Sequence, residues 1–188
     1  MKNISRNRCA PVWCAGATAV LLASVASAAR ADTFGAQLTG GIGEHGVKQV
    51  DVGFMWDPGI QWWYVRGWHF SLVGEAHVGY WHTNQGPSNN NVFGLGVTPI
   101  VRFIQDTGEI RPYVEVGAGV RGLTHATINA NYSLGTAFGF TLVGGVGLQF
   151  GSRQQYQVGL RYQHTSNGGI KEPNPGIDFT QLYVQYNF

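Results

Sequence analysis

From about residue 34 onward, the chain consists largely of runs in which apolar and polar residues alternate with a period of two. In the last run, Leu182, Val184 and Tyr186 alternate with polar Gln181 and Gln185. Successive side chains of a strand point to opposite sides, so each run predicts a β-strand with one apolar and one polar face. The predicted strands cover 34–43, 49–56, 70–80, 93–103, 113–121, 138–150, 156–163 and 180–188.

There are eight such strands, and many have close to the roughly 9–11 residues that a strand needs to cross a bilayer. An even number of alternating strands, joined in turn by longer and shorter links, predicts an all-β, eight-stranded antiparallel transmembrane β-barrel. Closure also removes the sheet edges that lipid cannot satisfy. A soluble β-sandwich is the alternative. The final Phe188, which ends an alternating strand, resembles the recognition signal of outer-membrane assembly and favours the barrel.

The polar faces of the predicted strands carry six charged residues. In a small barrel this face points inward and is filled by side chains, where unpaired charge is costly. We therefore expect an internal network of ion pairs among Asp51, Glu75, Arg102, Glu115, Arg121 and Arg161.

If both termini are periplasmic, the outer links are 43–47, 81–91, 122–136 and 167–177, most of them long and polar. Tyr80 and Trp81 are then placed like an outer aromatic girdle. Two features fit this barrel less well. The inner link from Asp57 to Gly67 is long, and Pro99 interrupts a strand interior, where a backbone donor is needed.

Residues 1–31 have the layout of a secretory signal peptide, with a basic start, a run of small and apolar residues, and cleavage expected after Ala28 or Ala31. Residues 32–188 then form a single barrel domain. Cys9 and Cys14 both lie in the signal, so the remaining chain has no disulfides or thiolate metal ligands. It carries eight basic against ten acidic residues, which makes nucleic acid an unfavourable partner. We expect no metal and no cofactor.

Three residues of the types that form catalytic triads lie on the apolar face of the last two strands. His164 and Ser166 fall on the same side of the strand as the apolar residues of 156–162, because every second residue points the same way. Asp178 likewise falls on the side of the apolar residues of 180–188. Polar residues on such a face are unfavourable and suggest a function. His164 can reach the Ser166 hydroxyl, and Asp178 can orient the imidazole from across the hairpin, as in a catalytic triad. The His-x-Ser spacing is weak evidence by itself, because His69 and Ser71 repeat it.

The segment 164–178 reads His-Thr-Ser-Asn-Gly-Gly-Ile-Lys-Glu-Pro-Asn-Pro-Gly-Ile-Asp. It resembles the active-site segment of the lipid A 3-O-deacylases of the PagL type. The resemblance implies that Ser166 is the nucleophile, His164 the general base and acid, and Asp178 the orienting acid. It also implies an oxyanion hole formed by Asn167 and the backbone N–H of Gly168. The chain has Asp at the acid position, where the best-known members of the family have Glu.

The resemblance implies an outer-membrane serine esterase that hydrolyses the 3-O-linked acyl chain of lipid A, with its site on the barrel wall in the outer leaflet. The main alternative is a non-enzymatic small barrel that acts in adhesion or envelope structure. A barrel acyltransferase acting on lipid A is disfavoured, because those enzymes begin with an amphipathic helix and work from the barrel interior. The sequence leaves a monomer and a homodimer both open, and it does not show the acyl-chain preference.

Overall fold

The computed structural model describes residues 32–85 and 91–188, most of which form antiparallel strands. A single 3₁₀ turn, Glu44–Gly46, joins the first two strands. In the described part of the chain, no helix has the length and apolar character needed to cross a membrane. The strands, in chain order, are β1 (Thr33–Gly43), β2 (Lys48–Asp57), β3 (Gln61–Val65), β4 (Trp68–His82), β5 (Val92–Gln105), β6 (Ile110–Leu123), β7 (Thr127–Asn129), β8 (Tyr132–Ser133), β9 (Phe138–Phe150), β10 (Tyr156–Ser166) and β11 (Ile177–Asn187).

Eight of these strands close into a barrel. They pair antiparallel in the order β1, β2, β4, β5, β6, β9, β10 and β11, and β11 returns to β1, where Leu38 lies opposite Val184. The predicted eight-stranded antiparallel barrel is confirmed, and a sandwich is excluded because the sheet closes on itself. The predicted signal peptide lies outside the described residues and stays a prediction.

The alternation in the sequence corresponds to the two faces of the barrel wall. Outward side chains are apolar and largely exposed, such as Val52 at 60% and Leu160 at 56%, whereas inward side chains such as Gln49 and Gln181 are buried. The exposed face is therefore an apolar belt, as expected for a wall surrounded by lipid.

The barrel interior contains the expected ion pairs. Arg161 bridges two carboxylates, with Nη1 at 2.8 Å from Glu75 Oε2 and Nη2 at 2.9 Å from Glu115 Oε1. These groups are all buried, so each charge depends on its partners for compensation. Two further pairs join Arg102 to Glu115 and Arg121 to Asp51.

The two features that fitted the barrel less well have local explanations. Within the long link after β2, the short strand β3 pairs with β4 at the end of the barrel that carries both chain termini, where Trp62 lies opposite Phe70. We call this the inner end and the opposite end the outer end, after the predicted orientation. Pro99 keeps its place opposite Gly74 of β4, but the pairing of β5 with β6 is interrupted at Thr98 and Pro99. The missing donor of Pro99 is thus accommodated by a local gap in one ladder.

The girdle prediction is wrong for Trp81. Tyr80 faces outward, and its neighbour Trp81 therefore points inward, where it packs on Phe179 with ring centroids 5.0 Å apart. Trp81 belongs to an apolar cluster that fills the outer end of the barrel beneath the loops. The cluster comprises Val47, Trp81, Val92, Leu123, Ile128, Tyr132, Leu134, Ile177 and Phe179.

Candidate active site

His164 and Asp178 meet at the outer end of the β10–β11 hairpin. They are direct cross-strand partners, and His164 Nδ1 lies 2.6 Å from Asp178 Oδ1. Paired residues of an antiparallel ladder have Cβ atoms only about 5 Å apart, so the short aspartate arm reaches the ring. The side chains are 38% and 31% exposed, respectively, and both face outward. The carboxylate is thus placed to fix the orientation and tautomer of the imidazole.

Ser166 ends β10 on the same outward face, and the space between it and His164 is closed by Gly176. A Cβ atom added to Gly176 would lie 2.6 Å from His164 Cε1, 3.2 Å from His164 Nε2 and 3.4 Å from Ser166 Cβ. The Nε2 edge of the ring and the serine side chain therefore border the same small space. Nδ1 faces the carboxylate, so Nε2 is the ring nitrogen available to the serine.

The loop that follows Ser166 is held by the side chain of Asn167, which is buried. Its Nδ2 donates to the carbonyl oxygens of Leu134 at 2.8 Å and Lys171 at 2.6 Å, and its Oδ1 accepts from the Gly169 N–H at 2.9 Å. The backbone N–H of Asn167 donates to Asn174 Oδ1 at 2.9 Å. One Nδ2 hydrogen is used within the loop and the other joins the loop to the segment between β8 and β9, so the Asn167 amide maintains the loop geometry in this arrangement.

Gly168 presents its backbone to the outside beside the serine. It is exposed and has a φ of 65°, a conformation that glycine adopts without strain. Within 32–85 and 91–188, no group accepts a hydrogen bond from its N–H. This N–H is consequently available to an oxygen atom bound next to Ser166.

The outer loop between β6 and β9 contacts the active-site loop between β10 and β11, and sequence reasoning missed this contact. Tyr132 of β8 is buried, packs against the His45 ring at a centroid distance of 4.1 Å, and donates its hydroxyl hydrogen to the Gly176 carbonyl. Burial and the nearby carboxylates of Glu44 and Asp178 raise the pKa of Tyr132 to about 12, so its hydroxyl remains a donor at neutral pH. The only feature of the sequence that could have indicated this contact was one aromatic residue in a polar loop.

The surroundings of the site are apolar. Phe140 and Leu142 of β9 lie opposite Ser166 and His164, and both project outward. On the other side, Ile42 of β1 is 71% exposed next to Thr180 of β11. The polar residues therefore lie at the outer end of an apolar wall. An amphiphilic molecule can place a polar bond next to these residues while its apolar chains lie against the barrel.

The other His-x-Ser pair occupies a different environment. His69 and Ser71 are buried on the inward face of β4, and His69 contacts Asp106 at the inner mouth of the barrel. The same spacing thus gives one pair facing outward and one facing inward. Across 32–85 and 91–188, no three His, Cys, Asp or Glu residues are grouped as metal ligands.

Comparison with known proteins identifies the family. A family model described as lipid A 3-O-deacylase (PagL) matches residues 48–187. The chain belongs to this family. The matched range includes both strands of the candidate site and the loop between them.

Curated relatives and a solved structure agree with the PagL assignment. The protein named lipid A deacylase PagL from Bordetella bronchiseptica is 33% identical over 176 residues, which cover 92% of this chain and 94% of the relative. The protein of the same name from Pseudomonas aeruginosa is 31% identical over 161 residues, covering 86% and 88%. A crystal structure described as the outer membrane enzyme PagL matches with a TM-score of 0.72 at 25% identity, covering 83% of this chain and 99% of that one. The chain is accordingly an outer-membrane β-barrel of the PagL family.

Proposed function

We propose that this barrel is a serine esterase that hydrolyses the 3-O-linked acyl chain of lipid A. The observation that carries the proposal is the contact of 2.6 Å between His164 Nδ1 and Asp178 Oδ1, with Ser166 beside the same ring on the apolar outer wall. Membership of the PagL family supplies the substrate class.

In the proposed reaction, Ser166 Oγ attacks the carbonyl carbon of the ester while His164 Nε2 takes the hydroxyl proton. Asp178 stabilises the imidazolium through Nδ1. The tetrahedral intermediate collapses as His164 returns the proton to the departing 3-oxygen of the glucosamine. Water, activated by the same imidazole, then cleaves the acyl-enzyme, which releases a 3-hydroxy fatty acid and regenerates Ser166.

The negative charge on the tetrahedral oxygen needs a hydrogen-bond donor close to Ser166. We assign this role to an oxyanion hole of Gly168 and Asn167, in which the Gly168 N–H donates directly. Asn167 holds the loop that presents this N–H, and its amide becomes a second donor only if it releases Leu134 or Lys171.

The position of the site suits a substrate that stays in the membrane. Lipid A fills the outer leaflet, and a site on the outer wall is reached by lateral diffusion while the acyl chains remain in lipid. We therefore propose that the site faces the outer leaflet. All of the proposed catalytic residues lie on β10, β11 and the loop between them.

Mass spectrometry of lipid A from cells that produce the wild type, Ser166→Ala or His164→Ala tests the proposal. Ser71→Ala is the matched control, because Ser71 has the same His-x-Ser spacing but is buried inside the barrel. We expect the loss of one 3-hydroxyacyl group with the wild type and Ser71→Ala. Either site variant should reduce the rate by at least about a thousandfold.

Folding of each variant is checked by its heat-modifiable migration in the outer-membrane fraction, and activity is also measured on purified lipid A in detergent. Intact lipid A in both settings, with a folded wild type, would instead indicate a non-enzymatic barrel. An active Ser166→Ala would show that another group is the nucleophile.

A further inference from the structure

A tyrosine lies diagonally across the ladder from the acid of the proposed triad. Tyr162 lies on β10, two residues before His164 and on the same outward face, where it is 53% exposed. Its direct partner on β11 is Thr180, which places Asp178 diagonally across the ladder. Diagonal neighbours are within reach of an aromatic side chain, so the Tyr162 hydroxyl and the Asp178 carboxylate lie close enough to interact.

Asp178 is hydrogen-bonded to His164 Nδ1 and has a second potential donor within reach on the same strand, the Tyr162 hydroxyl. A carboxylate on a lipid-facing wall has little water to compensate its charge, and it depends on its partners for this. The carboxyl group can rotate about its bond to Cβ when only one oxygen atom is held. Donors on two sides fix that rotation and direct one oxygen at the imidazole.

We propose that Tyr162 is a positioning residue for the esterase reaction, whose hydroxyl holds the Asp178 carboxylate against His164. The ring nitrogen Nε2 is thereby kept toward Ser166. This inference rests on the proposed function, because it assigns Tyr162 to the same triad.

A competing explanation is that Tyr162 only contributes an aromatic ring at the membrane interface, as many tyrosines of such barrels do. Tyr162→Phe separates the two, because it keeps the ring and removes only the hydroxyl. Tyr80→Phe is the matched control. Tyr80 also faces outward at the outer end of its strand, and its hydroxyl donates to Asn91, away from the site, at 2.9 Å.

Steady-state deacylation of lipid A in detergent is the test. We expect Tyr162→Phe to lower kcat about tenfold with an unchanged KM, because a hydrogen bond to a charged group is lost while substrate contacts remain. Tyr80→Phe should stay within about twofold of the wild type. A Tyr162→Phe variant as active as Tyr80→Phe would overturn the proposal.

A double-mutant cycle tests whether the effect acts through the carboxylate. In an Asp178→Ala background, Tyr162→Phe should have no further effect on kcat. An equal tenfold loss in that background would assign Tyr162 another role and overturn the proposal. The proposed function fails separately, if Ser166→Ala or Asp178→Ala keeps full activity.

A spectroscopic measurement keeps the proposal testable if Asp178→Ala is too slow to measure. The His164 Nδ1 proton, hydrogen-bonded to a carboxylate, should give a far-downfield proton NMR signal in micelles of the wild type and Tyr80→Phe. We expect this signal to be lost or shifted in Tyr162→Phe. An unchanged signal would show that the hydroxyl does not position Asp178.

Discussion

Gly176→Ala tests how closely the active-site loop fits the imidazole. The added methyl carbon would lie 2.6 Å from His164 Cε1, closer than two carbon atoms can approach, so the ring must move. The ring is the end of a side chain, and moving it costs little folding energy. The move does, however, lengthen the contact of 2.6 Å between His164 Nδ1 and Asp178 Oδ1 and turns Nε2 away from Ser166.

A displacement of about 1 Å in a catalytic group can lower the rate about a hundredfold, and we expect that loss of kcat in Gly176→Ala. Gly176 also has a φ of 70°, so alanine there adds backbone strain of about 1 kcal/mol. Gly67→Ala is the matched control, because Gly67 has a φ of 79° and no atom within 4 Å of the added carbon.

Both variants should lose similar stability in urea unfolding followed by tryptophan fluorescence, and only Gly176→Ala should lose deacylase activity. If Gly176→Ala retained the activity of Gly67→Ala, the close approach of Gly176 to the imidazole would have no catalytic importance. The reasoning about the ring would then be refuted.

Two further variants test the contacts that support the site and the barrel. Arg161→Met removes the guanidinium that bridges Glu75 and Glu115, and should lower the free energy of unfolding by about 3–5 kcal/mol. Urea titration in micelles measures this, and a loss below about 1 kcal/mol would contradict the assigned network. Tyr132→Phe removes the donor to the Gly176 carbonyl and should lower kcat about fivefold at an unchanged unfolding midpoint. Activity equal to the wild type would show that the loop keeps its position without this contact.

The barrel could be predicted from the sequence because alternation is a local property. A strand with period two exposes one face whatever its partners are, so the outward position of Leu160 and the inward position of Arg161 follow from parity alone. The placement of Trp81 was predictable on the same ground, since its neighbour Tyr80 faces outward. Adjacent residues of a strand point to opposite faces, so Tyr80 and Trp81 could not both belong to an outward-facing girdle, as the sequence interpretation had assumed.

The juxtaposition of His164 and Asp178 was also accessible, because the hairpin register makes them partners. The hydrogen bond from Tyr132 to Gly176 could not be predicted, because it joins residues 44 positions apart in two loops whose conformations no periodic pattern specifies. The hydrogen bonds of the Asn167 side chain, one of which reaches Leu134 in the other loop, could not be predicted for the same reason. Its sequence context identifies an amide next to the serine but not the carbonyl groups that its hydrogens reach.

The central claim is that Ser166 is an activated nucleophile on the outer wall. Covalent labelling tests it most directly, with a long-chain alkyl sulfonyl fluoride, a reagent that reacts with activated serines, and peptide mass spectrometry of the purified barrel. We predict that inactivation parallels the modification of Ser166 alone, that buried Ser71 stays unmodified, and that labelling is much slower in His164→Ala. Inactivation with Ser166 unmodified, or labelling at the same rate without His164, would contradict the account.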